Sequence, residues 1–329
     1  MNERELQDAV KGLPKSIEPP RDLWPGIQDR IGRRSWRGGR RWYWVVVPLA
    51  AAAALVAVLV GRSGPVAWDV APLAGRPLLG TKPLVWLQTD DSSRALIAVG
   101  RIGQVEVRPG TRVQLVAARA DDHRLALARG TIDAKVDAIP RLFFVETPAG
   151  TAIDLGCAYT LQTDSLGNGL LHVTGGEVEF QTGERSARVP LGAKVQIRPA
   201  PGGGGGGGGG PGIPYVEDAP EPFVHALARL DFENGEARST RTVLALAQAR
   251  DAISLWHLLQ RVDPSLRGAV YDRLAALVPP PAGVTRAAAL VLDQPALDSY
   301  WQKIHRILFR RTILRGVRRI SPRTGLTQP

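Results

Sequence analysis

Leu171-His172-Val173-Thr174-Gly175-Gly176-Glu177-Val178-Glu179-Phe180-Gln181 is the stretch whose reading decides the fold. Successive side chains of an extended chain point to opposite faces, so apolar residues separated by polar ones mark a half-buried strand. Two strands are predicted, over 169–174 and 177–181. The glycines between them suit a tight turn or bulge that needs positive φ.

The same texture runs from 65 to 199. Short apolar runs recur at 84–87, 95–99, 104–107, 112–116, 142–146 and 193–197, separated by Gly, Pro and Asp. About a dozen short strands with turn signals every ~8–12 residues predict an all-β sandwich, barrel or solenoid. Periodicity does not choose among the three.

Upstream, residues 42–61 carry no charged side chain, and Arg41 and Arg62 bound them. About 20 apolar residues span the ~30 Å hydrocarbon core of a bilayer. Trp42, Tyr43 and Trp44 sit where an interfacial aromatic belt belongs, and six arginines lie within residues 30–41. The positive-inside rule then puts the N-terminus in the cytoplasm and the bulk of the chain outside it. A cleaved signal peptide would have its charged region at the start, whereas about forty residues precede this one. The expected location is the bacterial inner membrane, single-pass, with the bulk periplasmic. The net charge of +11 invites an anionic partner. Its arginines, however, concentrate at 30–41 and 303–323, beside and beyond the span, so inner-membrane lipid is expected and direct contact with nucleic acid is not.

Residues 1–41 are too few for a core of their own. Leu6, Val10 and Leu13 form one helical stripe. Leu23 or Trp24, with Ile27 and Ile31, forms another, with Asp22 as N-cap and Pro25 in the first turn. Prolines 14, 19 and 20 separate the two stripes, which therefore call for a partner groove. A juxtamembrane arm lying on anionic lipid is the alternative. The run from Leu13 through Leu23-Trp24-Pro25-Gly26-Ile27 resembles the juxtamembrane stretch of bacterial anti-sigma factors. That resemblance implies an extracytoplasmic-function sigma factor as partner, held by Leu23, Trp24, Ile27 and Ile31. Many such proteins carry a His-and-Cys zinc motif, but residues 1–41 contain neither residue, so a zinc-bearing arm is excluded.

Within the β region a second resemblance becomes specific. Leu127-Ala128-Arg129-Gly130-Thr131-Ile132 is followed by Phe144-Val145-Glu146-Thr147-Pro148-Ala149-Gly150-Thr151-Ala152. Leu155-Gly156-Cys157-Ala158-Tyr159-Thr160 and Leu171–Val178 come next. Taken in order over residues 80–198, these resemble the FecR family. Cys157 stands where that family usually has Thr, and Tyr159 where it has Phe. The resemblance implies a periplasmic domain that senses or relays an envelope signal. Cys157, alone in the chain, reads as a small buried hydrophobe.

Beyond the glycine run at 202–210 the period becomes helical. No Lys-Ser or Lys-Thr follows that run, so it reads as a linker and not a phosphate loop. Helices are predicted around Phe223, Leu227 and Leu230, over 242–261, over 266–278, and from about 297 to 320. Val262-Asp263-Pro264 turns the second into the third. In the last helix Ile304, Ile307, Leu308 and Leu314 share a face among arginines. A basic amphipathic helix of this kind suits a membrane surface, with Arg306, Arg310, Arg311 and Arg315 as the contacts.

The predicted organisation is a cytoplasmic arm 1–41, a transmembrane helix 42–61, a FecR-like β domain 65–199, a Pro/Gly linker 200–213 and a helical C-terminal domain 214–329 with a basic tail. No cofactor, metal or catalytic residue is expected. The five histidines are scattered, with no His-Glu-X-X-His helix, no Gly-X-Ser-X-Gly elbow and no phosphate loop. Two functions compete. One is a transmembrane signalling regulator with a sigma-binding arm. The other is a membrane-anchored module that binds envelope protein or polysaccharide without sigma control.

Overall fold

The computed structural model describes residues 68–75, 86–183, 185–200, 209–233 and 235–319. The arm 1–41, the span 42–61 and the residues Leu23, Trp24, Ile27 and Ile31 lie outside the described residues. Among the described residues no helix is long and apolar enough to cross a membrane.

Among the described residues, fifteen strands form one continuous sheet, followed by helices. Its centre is β6 (Asp122–Val136), which hydrogen-bonds four other strands. The first half of β6 pairs antiparallel with β5 (Arg112–Arg119) and parallel with β7 (Phe143–Thr147). Its second half pairs with β4 (Gly103–Val107) and β9 (Cys157–Thr163). The sheet therefore folds over along β6. One half runs from β2 (Trp86–Gln88) through β5, β6, β7, β8 (Gly150–Asp154) and β11 (Glu177–Gln181) to β12 (Ser186–Pro190). The other runs from β1 (Asp69–Ala74) through β3 (Arg94–Val99), β4, β6, β9 and β10 (Gly169–Gly175) to β13 (Ala193–Arg198). The result is a nearly closed, barrel-like sheet. A solenoid does not form, because one strand carries pairings to both halves.

The side-chain phase changes where the chain passes from one half to the other. In β6, His123, Leu125 and Leu127 are buried before the bend, and Ile132, Ala134 and Val136 after it. The buried positions are odd-numbered first and even-numbered afterwards. A one-residue slip in the ladder at Arg112/Val113, opposite Arg129 and Leu127, makes that switch. The β10–β11 corner repeats it: Leu171 and Val173 are buried, then Val178 and Phe180. At the two pivots stand Gly130, with φ +100°, and Gly176, with φ +67°. Both half-sheets thus keep an apolar face toward one core.

The helices are α1 (Glu221–Phe232), α2 (Glu236–Leu246), α3 (Ala252–Arg261), α4 (Pro264–Leu277), α5 (Arg286–Leu290) and α6 (Gln294–Arg319). The single helix expected over 242–261 is two. Ala247 is extended, and a 3-10 turn, Ala249–Asp251, follows. The Asp251 carboxylate accepts from the Gln248 amide at 2.8 Å, which starts a new helix where the apolar period alone would continue the old one. The hairpin at Asp263 forms as expected, with its side chain accepting from Ser265 N at 2.8 Å. The stretch expected as a linker ends inside the sheet. Gly210–Pro211 (β14) and Tyr215–Val216 (β15) both add to β13.

Candidate functional site

Strand β12 ends its half-sheet, so its outer backbone groups need partners. Helix α3 supplies two of them. His257 and Arg261, one turn apart, share a helical face. The Arg188 N–H donates to His257 Nε2 at 3.0 Å, and Arg261 Nη2 donates to the Ser186 carbonyl at 2.9 Å. Pro190 has no N–H to leave open. Because Nε2 accepts, the ring proton is on Nδ1, which donates to the Ile253 carbonyl at 2.8 Å. The imidazole is neutral. Burial pushes its pKa down to about 3, and the charges of Arg261 and Arg188 act in the same direction.

Arg261 also ties three segments together. Its Nη1 donates to Asp231 Oδ1 of α1 at 2.8 Å and to the Pro211 carbonyl at 3.0 Å. Asp231 Oδ2 accepts from Ile213 N at 2.5 Å. Burial raises the Asp231 carboxyl above its ordinary range, while Arg261 and the Ile213 N–H pull it back. Beneath this seam Trp256 and Trp301 meet at 4.8 Å, and the Arg188 guanidinium lies 4.9 Å over Trp301. Arg188 also binds Glu177 at 2.7 Å, and Glu177 lies 3.3 Å from His305.

A cleft of roughly 560 Å³ opens along the seam. Its walls are Arg141, Glu179, Arg185, Ser186 and Arg188 from the sheet side, and Trp256, Gln260, Arg261, Gln294 and Asp298 from the helices. This is the size of a small-molecule site. None of these residues was singled out from the sequence. The readable signal was His257 and Arg261 at helical spacing in a mostly apolar helix. Their partners lie 69 and 75 residues away, which no local pattern reports.

Of the expected membrane contacts, Arg306 is exposed on α6, with its Nε donating to the Gln302 carbonyl. Arg310, Arg311 and Arg315 continue that helix, and their side chains lie outside the described residues. Ile304 is 1% exposed, and Ile307 packs on the core. The first part of the apolar face is therefore occupied by the protein itself. Cys157 is buried, as its pattern suggested, and donates to the Asp154 carboxylate.

His257 makes a pH prediction. Its native pKa is below the unfolded value of about 6.5, so the unfolded chain binds more protons and stability falls as pH drops below that value. Asp154 has the opposite sign: burial raises it to about 6, so between that value and its unfolded 3.8 acid favours the native state. The two nearly cancel over that window. Removing one should expose the other. His257→Gln should therefore gain on the parent chain by ~1.4 kcal/mol per pH unit below about pH 6.5 in urea unfolding. A gap that does not change with pH would place the acid sensitivity elsewhere.

No family model matches the chain, and no curated protein matches it. Two crystal structures of a candidate anti-sigma factor from Parabacteroides distasonis are similar in part. The one at 1.65 Å has 17% identity and a TM-score of 0.34, covering 44% of this chain and 64% of its own. The one at 2.50 Å has 16% identity and a TM-score of 0.30, covering 48% of this chain and 64% of its own. The match thus spans less than two thirds of either neighbour, and likeness at that level leaves the functional argument to the residues of this chain.

Proposed function

We propose that the chain is a single-pass inner-membrane regulator, not an enzyme. A cytoplasmic arm holds an extracytoplasmic-function sigma factor, and the unit beyond the span receives an envelope signal. The observation that carries this reading is the order of parts on one chain. A stretch whose sequence carries two apolar stripes at helical spacing precedes a charge-free apolar run at 42–61, and a β unit with helices fixed to its edge follows. The FecR-like run supports it, because its motifs fall in order on core strands. Phe144–Ala152 forms the β7–β8 hairpin, Leu155–Thr160 the corner into β9, and Leu171–Val178 the β10–β11 corner. The cleft favours the second reading, an anchored envelope-binding module in which the arm is only a tether.

Capture separates the two readings. The full chain in detergent should retain one sigma factor of its own cell, and Trp24→Ala with Ile27→Ala should abolish retention while leaving the unfolding curve of the outer unit unchanged. Failure of the well-folded parent chain to retain any of them would leave the binding module.

A further inference from the structure

We propose that the cleft between β12 and helices α3 and α6 binds a small hydroxylated ligand carrying one oxyanion, a carboxylate or a phosphate as in a sugar acid or sugar phosphate. Charge is the first argument. Asp231 is neutralised by Arg261, and Arg185 lies beside the same pair, its Nη1 donating to the Asp231 backbone carbonyl at 3.3 Å. Among the described residues no carboxylate comes within 4.0 Å of the Arg185 guanidinium, whereas Arg141 and Arg188 are matched by Glu179 and Glu177. One end of the cleft therefore offers a planar guanidinium fork that fits a carboxylate or phosphate edge.

The opposite end carries the other half of the recognition. Asp298 is about half exposed there, 3.9 Å from Arg188, and accepts from Gln294 Nε2 at 3.2 Å. Gln260 also lines the cleft from α3, with its Nε2 donating to the Trp256 carbonyl at 3.0 Å, so its amide oxygen is the group it offers a ligand. Acceptors and amide groups opposite a cationic end suit a ligand with hydroxyls beyond its anionic group. The walls are rigid: α3 is fixed to the strand edge by His257 and Arg261, and Trp256 donates to the Leu297 carbonyl at 3.0 Å.

The backbone gives an independent argument. Arg141, at the rim, has φ +67°, one of two non-glycine residues in that region among those described. Its N–H donates to the Asp154 carbonyl at 2.8 Å, and its side chain reaches Glu179 at 2.6 Å while staying exposed. An arginine held at a strained backbone position beside a polar cleft is the kind of feature that accompanies ligand sites.

The inference is independent of sigma binding, and its test contains no sigma factor. Glucuronate, glucose 6-phosphate, glucose and inorganic phosphate would each be titrated by calorimetry into the full chain in detergent. At least one of the two anionic sugars should bind saturably with a Kd below ~1 mM, and glucose and inorganic phosphate each about tenfold more weakly or worse. Which anionic sugar binds tighter decides between carboxylate and phosphate. Arg185→Gln should weaken binding about tenfold, and Arg185→Lys should restore part of it. Gln260→Ala, which leaves Arg185 in place, should weaken the sugars but not inorganic phosphate. Three results would overturn the proposal: no saturable binding by the folded parent chain, binding indifferent to Arg185→Gln, or inorganic phosphate bound as tightly as the sugar phosphate.

Discussion

Arg261→Met is expected to destabilise the folded unit of β strands and helices by about 3–5 kcal/mol, read from the urea midpoint of its tryptophan fluorescence. The guanidinium is the common partner of Asp231, Pro211 and Ser186, so it joins α1, α3, β12 and β14. Its side chain is 17% exposed and that of Asp231 is 3% exposed. Without the arginine, the carboxylate keeps the Ile213 N–H but loses its adjacent counter-charge while remaining 3% exposed. The sign with pH follows. Burial already raises the Asp231 carboxyl, and removing Arg261 raises it further, so the variant's native state takes up a proton before the unfolded chain does. The variant's deficit should therefore shrink as pH falls toward the unfolded carboxylate value of about 3.9. Arg261→Met with Asp231→Leu should recover most of the loss, because an apolar pair of similar volume leaves no buried charge. A double variant as unstable as the single one would instead assign the loss to the uncapped edge of β12.

The strands were legible because burial on one side writes itself into alternation. The run expected at 95–99 is β3 from Arg94 to Val99, and the run expected at 177–181 is β11. What escaped reading was non-local. The 15 residues of β6 do not read as one strand, because their apolar phase reverses midway and only the two half-sheets show why. The break inside 242–261 depends on one carboxylate turning back on the Gln248 amide, which leaves the helical period of Leu244, Ala247, Leu255 and Leu258 intact on either side. The glycine run carries no strand propensity. Gly210 and Pro211 join the sheet because Arg198 and Ile197 lie beside them. The cleft was the least legible part, since Arg185 just before β12, Arg188 on it and Gln260 on α3 line one cleft only once the helices have docked.

Gly130→Ala is expected to cost ~3 kcal/mol or more, one of the largest losses available to a single methyl group in this chain. Two effects add. At φ +100° a Cβ is strained whatever surrounds it. The added carbon would also fall 2.4 Å from Thr111 Cα and 2.4 Å from Thr111 Oγ1. That hydroxyl accepts from Thr131 N at 2.9 Å and donates to the Thr131 carbonyl at 3.1 Å, closing the gap that the bend opens between β5 and β6. Alanine thus strains the backbone and parts the bond pair that compensates for the missing ladder. Gly183→Ala is the control, because a Cβ there meets nothing within 4 Å and the change should fall within about 0.5 kcal/mol of the parent. If β6 is the fold's pivot, Gly130→Ala should also weaken both half-sheets together, so amides of Leu125 in one and Ala134 in the other should lose hydrogen-exchange protection in parallel. Loss confined to one half would mean that the halves are held by separate contacts and that β6 merely passes between them.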